Sequence, residues 1–188
     1  MANLWSFVLK IKHKLPQIAR KLSEITTKNQ SIMEQNKRIY VNNEQVELAL
    51  QIALNAHDGQ VDLDGKPAIL HALAVGMAGE NATEQCVGFL HDVVEDSDYT
   101  FERLREMGVA LKIIRTLQVL THDKSVPYMD YIRSIEASSN EAALKVKIND
   151  LRHNLLRGTI GGHTKQVKKH TEALDYLLRN DEYILHVD

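Results

Sequence analysis

One cysteine, three prolines, one tryptophan, six tyrosines and three phenylalanines are all that 188 residues hold of these types. A lone thiol, Cys86, permits neither an internal disulfide nor a multi-thiolate zinc site, so a reducing, cytoplasmic setting is expected and any metal falls to His and carboxylates. No apolar run approaches the roughly 18 residues of a membrane span; Leu4 to Leu9 is short and already broken by Ser6. The chain also lacks a basic excess. Lys and Arg number 23 against 25 Asp and Glu, which argues against a general nucleic-acid binder. The charge is uneven: +6 for residues 1–40, −9 for 41–140 and +1 for 141–188.

What is present favours helix. The Leu/Ala/Glu/Lys/Gln-rich composition has high helix propensity, and no stretch shows sustained period-two alternation between hairpin turns. Val46, Ala49, Leu50 and Ala53 form one helical stripe behind the capping candidates Asn42 and Asn43. Residues 82–95 and 109–120 read as two mainly apolar helices, preceded by Gly79 and Gly108. Ser138 with Glu141 reads as a capping box for a helix to about Leu156, and a last helix spans about 164–179. The expected fold is an all-α helical globule, with residues 41–188 as its domain and 1–40 as an N-terminal amphipathic helical extension. Leu4, Val8, Ile11, Leu15, Ile18, Leu22 and Ile25 trace a heptad seam there, divided at Pro16. That seam reads as a helix docked on its own domain or on a sister subunit, making a homo-oligomer; Trp5 and Phe7 also allow a membrane-surface reading.

Nine His and twelve Asp predict roughly 0.6 chance His-Asp dipeptides. There are three. His57-Asp58 and His122-Asp123 fall at helix ends, where a polar pair reads as solvated. His91-Asp92 instead interrupts the apolar run Val87–Val94, where a carboxylate is costly to bury without a partner or cation. Glu95 and Asp96 follow one turn later. His71 sits in another mostly apolar helix, and Asp150 follows Leu144, Val146 and Ile148, with His153 and Asn154 beyond it. His71, His91, Asp92 and Asp150 would form a nitrogen-and-oxygen site for Mn²⁺, Fe²⁺ or Zn²⁺; core polar residues satisfied by hydrogen bonds are the other reading of the same spacing.

The stretches AHDGQVDLDGKPAILHALAV (56–75), VGFLHDVVEDSDYTFERLREMG (87–108), LTHDKSVPYMDYI (120–132) and ALKVKINDLRHNL (143–155) resemble the HD-domain hydrolases. The similarity is to the RelA/SpoT-type alarmone hydrolase branch and its small stand-alone relatives. It runs in order from about residue 46 to 178. The most specific element is GFLHDVVED, with a His twenty residues upstream and VK-x-x-D-x-x-x-N downstream.

The resemblance implies that His71, His91, Asp92 and Asp150 are metal ligands, usually for Mn²⁺. It implies that Glu95 and Asp96 orient or deprotonate the attacking water and that Asn154 contacts substrate. The reaction implied is removal of the 3′-pyrophosphate from guanosine tetra- or pentaphosphate. Lys66, Lys124, Tyr128 and Arg157 are further candidates for contact with the phosphorylated nucleotide. Lys145, Lys147, Arg152, Lys165, Lys168 and Lys169 read either as solvated helix faces or as added cations.

The loop departs from the pattern. Alarmone hydrolases generally carry a basic pair two and three residues after the Gly-Gln, where this chain has Asp62 and Leu63. Carboxylates there repel a polyanion. A nucleotidase or dinucleotide (NADPH-type) phosphatase, or an inactive HD regulatory module, are therefore the other function classes to weigh.

Overall fold

The computed structural model describes residues 41–184, with side chains to 179, and Arg20, Ser23, Glu24, Thr27 and Lys28 of the preceding segment. The chain divides into two compact units, Met1–Tyr40 and Val41–Asp188. In the first, Arg20 Nε meets Glu24 Oε1 at 3.2 Å, one helical turn apart. The heptad seam, Pro16, Trp5 and Phe7 lie outside the described residues.

The second unit runs α1 (Asn43–Ala56), α2 (Ile69–Met77), α3 (Ala82–Leu90), α4 (Val93–Asp96), α5 (Phe101–Glu106), α6 (Leu111–Leu120), α7 (Tyr128–Ala137), α8 (Glu141–Ile160) and α9 (Thr164–Ile184). Among the described residues the only sheet-like pairing is an isolated bridge, Val61 to Pro67. The all-helical expectation holds.

Helix α3 is buried on nearly every face, its apolar run over residues 86–90 requiring cover on all sides. Val87 and Leu90 are fully enclosed, and α1, α2, α6 and α8 all pack against α3. Val75 of α2, Ile113 and Leu117 of α6, Ile132 and Ile135 of α7, Leu151 of α8 and Leu177 of α9 complete one continuous core. Two glycines let α2 and α3 cross closely. A Cβ on Gly88 would lie 2.7 Å from Gly76 Cα, and one on Gly76 would strike the Phe89 ring.

Helix starts follow the side-chain caps. Asn42 accepts from the Gln45 N–H, and Asn81 from the Glu84 N–H. Two expectations need correction. The α8 cap is Asn140, which accepts from the Ala143 N–H, because Ser138 closes α7 and gives its hydroxyl to the Ile135 carbonyl. The expected helix over 82–95 is broken at His91-Asp92 into α3 and α4. His91 Nδ1 bonds the Gly88 carbonyl at 2.7 Å, competing for an acceptor that continued helix would use.

Candidate metal centre

Two helices and the break between α3 and α4 converge on one buried cluster. His71 comes from α2, His91 and Asp92 from the break after α3, and Asp150 from α8. His71, His91 and Asp150 are almost fully buried, and Asp92 is partly exposed. His71 Nε2 lies 3.2 Å from His91 Nε2, 3.0 Å from Asp150 Oδ1 and 3.6 Å from Asp92 Oδ2. His91 Nε2 lies 3.1 Å from Asp92 Oδ2 and 3.7 Å from Asp150 Oδ1. Bonds of about 2.1 Å to one cation set neighbouring ligand atoms about 3.0 Å apart in an octahedron and about 3.4 Å in a tetrahedron. The observed spacings match those edges, and ligand atoms of His71, His91 and Asp92 lie within 4.8 Å of one another.

The outer hydrogen bonds point the ligand atoms inward. A backbone carbonyl only accepts, so His91 Nδ1 donates to Gly88 and Nε2 is the nitrogen left to face the cluster. His71 Nδ1 bonds His153 Nδ1 at 2.7 Å, and the two rings stack with centroids 5.0 Å apart. Burial is the first cause that holds the His153 pKa below its ordinary value. Of the two facing Nδ1 atoms one donates and one accepts; a cation on His71 Nε2 would require His71 Nδ1 to be the donor and His153 the acceptor. The residues present fit a divalent cation with nitrogen and oxygen ligands.

Electrostatics agree with a cation site. Burial raises the Asp150 pKa, but Lys147 and hydrogen bonds to His71 and His91 outweigh it and hold the carboxyl well below its ordinary range. Burial lowers the His91 pKa, yet the Asp92 charge and hydrogen bonds to Asp150 and Asp92 hold it well above the ordinary value. With no cation, a proton on His91 takes up part of the negative field.

The cluster opens into a cavity of about 300 Å³ lined also by Glu95, His122, Tyr128, Lys147, Asn154 and Arg157. Glu95 Oε1 accepts the His122 N–H at 2.8 Å, and burial raises the Glu95 pKa. Asp96 faces a second cavity of about 550 Å³, which shares His71, Asp92 and Arg157 with the first. Burial, then the Asp92 charge, raises the Asp96 pKa. The adjacent acids thus reach the cluster from two sides.

Asn154 Nδ2 donates to Asp150 Oδ1 at 2.5 Å and Arg157 Nη2 to Asn154 Oδ1 at 2.5 Å. Arg157 Nη1 then reaches Asp62 Oδ2 at 3.4 Å, linking the 57–68 loop to α8. Asp62 Oδ1 meanwhile accepts the Asp64 and Lys66 N–H groups, so this carboxylate organises the loop.

Lys66 and Lys124 are exposed and line neither cavity, although the Lys124 charge reaches Asp96. His57 is buried, not solvated: its Nδ1 bonds Gln60 Oε1 at 2.8 Å, and Gln60 in turn donates to the Asp96 carbonyl. His122, also read as solvated, lies against Tyr131 with ring centroids 4.5 Å apart. Of the basic residues read as solvated faces or added cations, Lys147 and Lys169 line the first cavity, and Lys145, Arg152, Lys165 and Lys168 do not. His153 and His170, assigned no role from the sequence, stand beside the site. Lys147 pairs with Asp150 Oδ2 at 2.8 Å, three residues along one helix.

Over 149 residues the chain is 30% identical to a GTP pyrophosphokinase of Streptomyces coelicolor, covering 70% of this chain and 17% of the relative. A second relative, from Haemophilus influenzae, is named guanosine-3′,5′-bis(diphosphate) 3′-pyrophosphohydrolase; it is 42% identical over 59 residues, 29% of this chain and 9% of the relative. The chain is a RelA/SpoT-type homologue. It spans under a fifth of the length of these relatives. No family model matches it. A solved structure described as a metazoan ortholog of SpoT that hydrolyzes ppGpp superposes with a TM-score of 0.57 at 21% identity. That match covers 73% of this chain and 95% of the other, and it gives this RelA/SpoT-type homologue the helical HD fold.

Proposed function

We propose that the protein is a metal-dependent HD-domain phosphohydrolase that removes the 3′-pyrophosphate from guanosine tetra- or pentaphosphate, acting in the cytoplasm. The observation that carries this reading is the convergence of His71, His91, Asp92 and Asp150 beside two acids of raised pKa, in a relative of a named 3′-pyrophosphohydrolase. Mn²⁺ is the proposed ion, with Fe²⁺ or Zn²⁺ compatible with the same ligands.

A divalent cation in this position lowers the pKa of a bound water and offsets charge developing on a phosphoryl oxygen. The chain supplies the rest. His71, His91, Asp92 and Asp150 would hold the ion, their lone pairs oriented by Gly88, His153 and Asn154. Glu95 or Asp96 takes the proton of the attacking water, and their raised pKa values make them stronger bases than solvated carboxylates. Asn154, Tyr128 and Arg157 orient the nucleotide. Arg157 supplies a cation on the side of the site where the loop carries Asp62 in place of a base.

Pyrophosphate release from guanosine tetraphosphate in Mn²⁺-supplemented buffer tests this, run beside Asp92→Ala and Asp150→Ala. Activity in the wild type and its loss with metal content in both variants is the expected result. Variants as active as the wild type would refute the ligand assignment. We further propose that residues 1–40 mediate self-association, which size exclusion of the full chain against one starting at Val41 would test.

A further inference from the structure

The cavity beside the metal cluster holds two ammonium groups, and only one has a carboxylate. Lys147 is taken by Asp150 Oδ2 at 2.8 Å. Lys169 reaches over from α9 with its Nζ 4.4 Å from the Tyr128 ring centroid, and has no carboxylate within ion-pair distance among the described residues. Burial and the like charge of Lys147 hold the Lys169 pKa below its ordinary value. The next residue, His170, has its Nδ1 buried without a hydrogen-bond partner, and its ring lies 6.4 Å from Tyr128. Burial, then the Lys169 charge, lowers the His170 pKa to about 4, so the ring is neutral near pH 7 and can donate from one nitrogen. Lys169, an exposed ammonium with no carboxylate partner, and His170, next to it on α9, therefore both stand on the wall of the cavity that the metal ligands also line. A multivalent oxyanion in that cavity would give Lys169 its counter-charge.

Size restricts which oxyanion. About 300 Å³ is the lower end for a ligand cavity, enough for a short phosphate arm but small for a whole nucleotide. The neighbouring cavity of about 550 Å³ has room for the nucleoside, but Asp62, Asp92 and Asp96 line it, so it disfavours a phosphate chain.

We infer that Lys169 and His170 form the subsite for the phosphoryl group beyond the one attacked, selecting a 3′-diphosphate over a 3′-monophosphate. The inference rests on the 3′-pyrophosphohydrolase reading. In that reaction the water oxygen bonds to the phosphorus carried by the sugar oxygen and that P–O bond breaks. One water proton ends on the sugar oxygen, the other is released, and pyrophosphate departs whole. The distal phosphate, held by Lys169 and His170, keeps the attacked phosphorus beside the cluster.

Two measurements test this on the full chain. Calorimetric titration of the Mn²⁺-loaded, dialysed protein with inorganic pyrophosphate and with inorganic phosphate reads the subsite without turnover. Tenfold or tighter binding of pyrophosphate is expected in the wild type, lost in Lys169→Ala and largely kept in Lys169→Arg. The second compares kcat/KM for 3′-diphosphate and 3′-monophosphate guanosine nucleotides sharing one 5′ group. Lys169→Ala should reduce the diphosphate value at least tenfold more than the monophosphate value, chiefly through KM. Unchanged pyrophosphate affinity and unchanged selectivity in Lys169→Ala, with metal content intact, overturn the subsite. A wild type that binds pyrophosphate through Lys169 yet cleaves no 3′-pyrophosphorylated nucleotide supports the subsite and sinks the hydrolase reading alone.

Discussion

His153 Nδ1 lies 2.7 Å from His71 Nδ1, so the tautomers of the two imidazoles are tied to each other: one nitrogen donates and the other accepts. In the proposed metal-bound form His71 Nδ1 is the donor, and replacing His153 removes the acceptor that would keep the His71 lone pair on Nε2. Outer hydrogen-bond partners of this kind are typically worth about 10–100-fold in metal affinity. His153→Phe is expected to lose about that factor in Mn²⁺ binding, measured by competition with a chelating dye, and His153→Asn to lose less because its side-chain oxygen can accept. Equal affinity in wild type and His153→Phe would remove His153 from the metal's support.

Metal binding should release protons and grow tighter with pH. In the metal-free protein the His91 pKa is held well above its ordinary value by Asp92 and Asp150, against burial, so at neutral pH the ring is protonated and a cation must displace that proton. A raised folded-state pKa contributes stability fully below the unfolded value near 6.5, and loses it as pH climbs through the folded value. The metal-free protein therefore weakens on the alkaline side, where the loaded protein has no such proton to lose. The gap in Tm between loaded and metal-free protein is expected to widen from pH 6 to pH 9. A constant or shrinking gap would contradict this account.

Arg157 bridges Asn154 and Asp62 through different nitrogens of one guanidinium, a geometry that lysine cannot copy. Arg157→Ala and Arg157→Lys are both expected to raise KM for the nucleotide about tenfold while leaving bound metal near stoichiometric. Metal loss in Arg157→Lys would instead mean that the residue acts mainly on Asp150 through Asn154.

Gly88→Ala probes the α2–α3 crossing. Its Cβ would meet Gly76 Cα at 2.7 Å, Gly76 N at 2.8 Å and Val75 C at 2.9 Å, all backbone atoms that cannot rotate away. Overpacking of this kind costs about 1–3 kcal/mol, and here it also separates the helices carrying His71 and His91. Denaturant unfolding should show that loss together with weaker Mn²⁺ binding. A variant of normal stability with unaltered metal affinity would mean that the crossing does not set the ligand spacing.

The helices and the members of the buried cluster were legible because each left a local trace: apolar periodicity, Asn caps, and polar residues breaking apolar runs at His71, His91 and Asp150. The break after Leu90 left none, since the run of apolar residues continues past it and only the His91 ring's reach to Gly88 marks the turn. His57 resembled a solvated loop residue because its partner, Gln60, gains meaning only once the loop folds against Asp96. Lys169 and His170 lie on an otherwise polar helix face. Whether such a face meets water or a cavity depends on where α9 packs, and a one-dimensional pattern does not encode that.

The four cluster residues lie up to 79 positions apart in the sequence, so no short segment of the unfolded chain can reproduce the site. A cation that binds the folded form alone adds about 2.7 kcal/mol when free metal exceeds its dissociation constant a hundredfold. If the proposed ion binds here, metal supply would govern how much of the chain is exposed to proteases at any moment, so abundance as well as turnover would follow it.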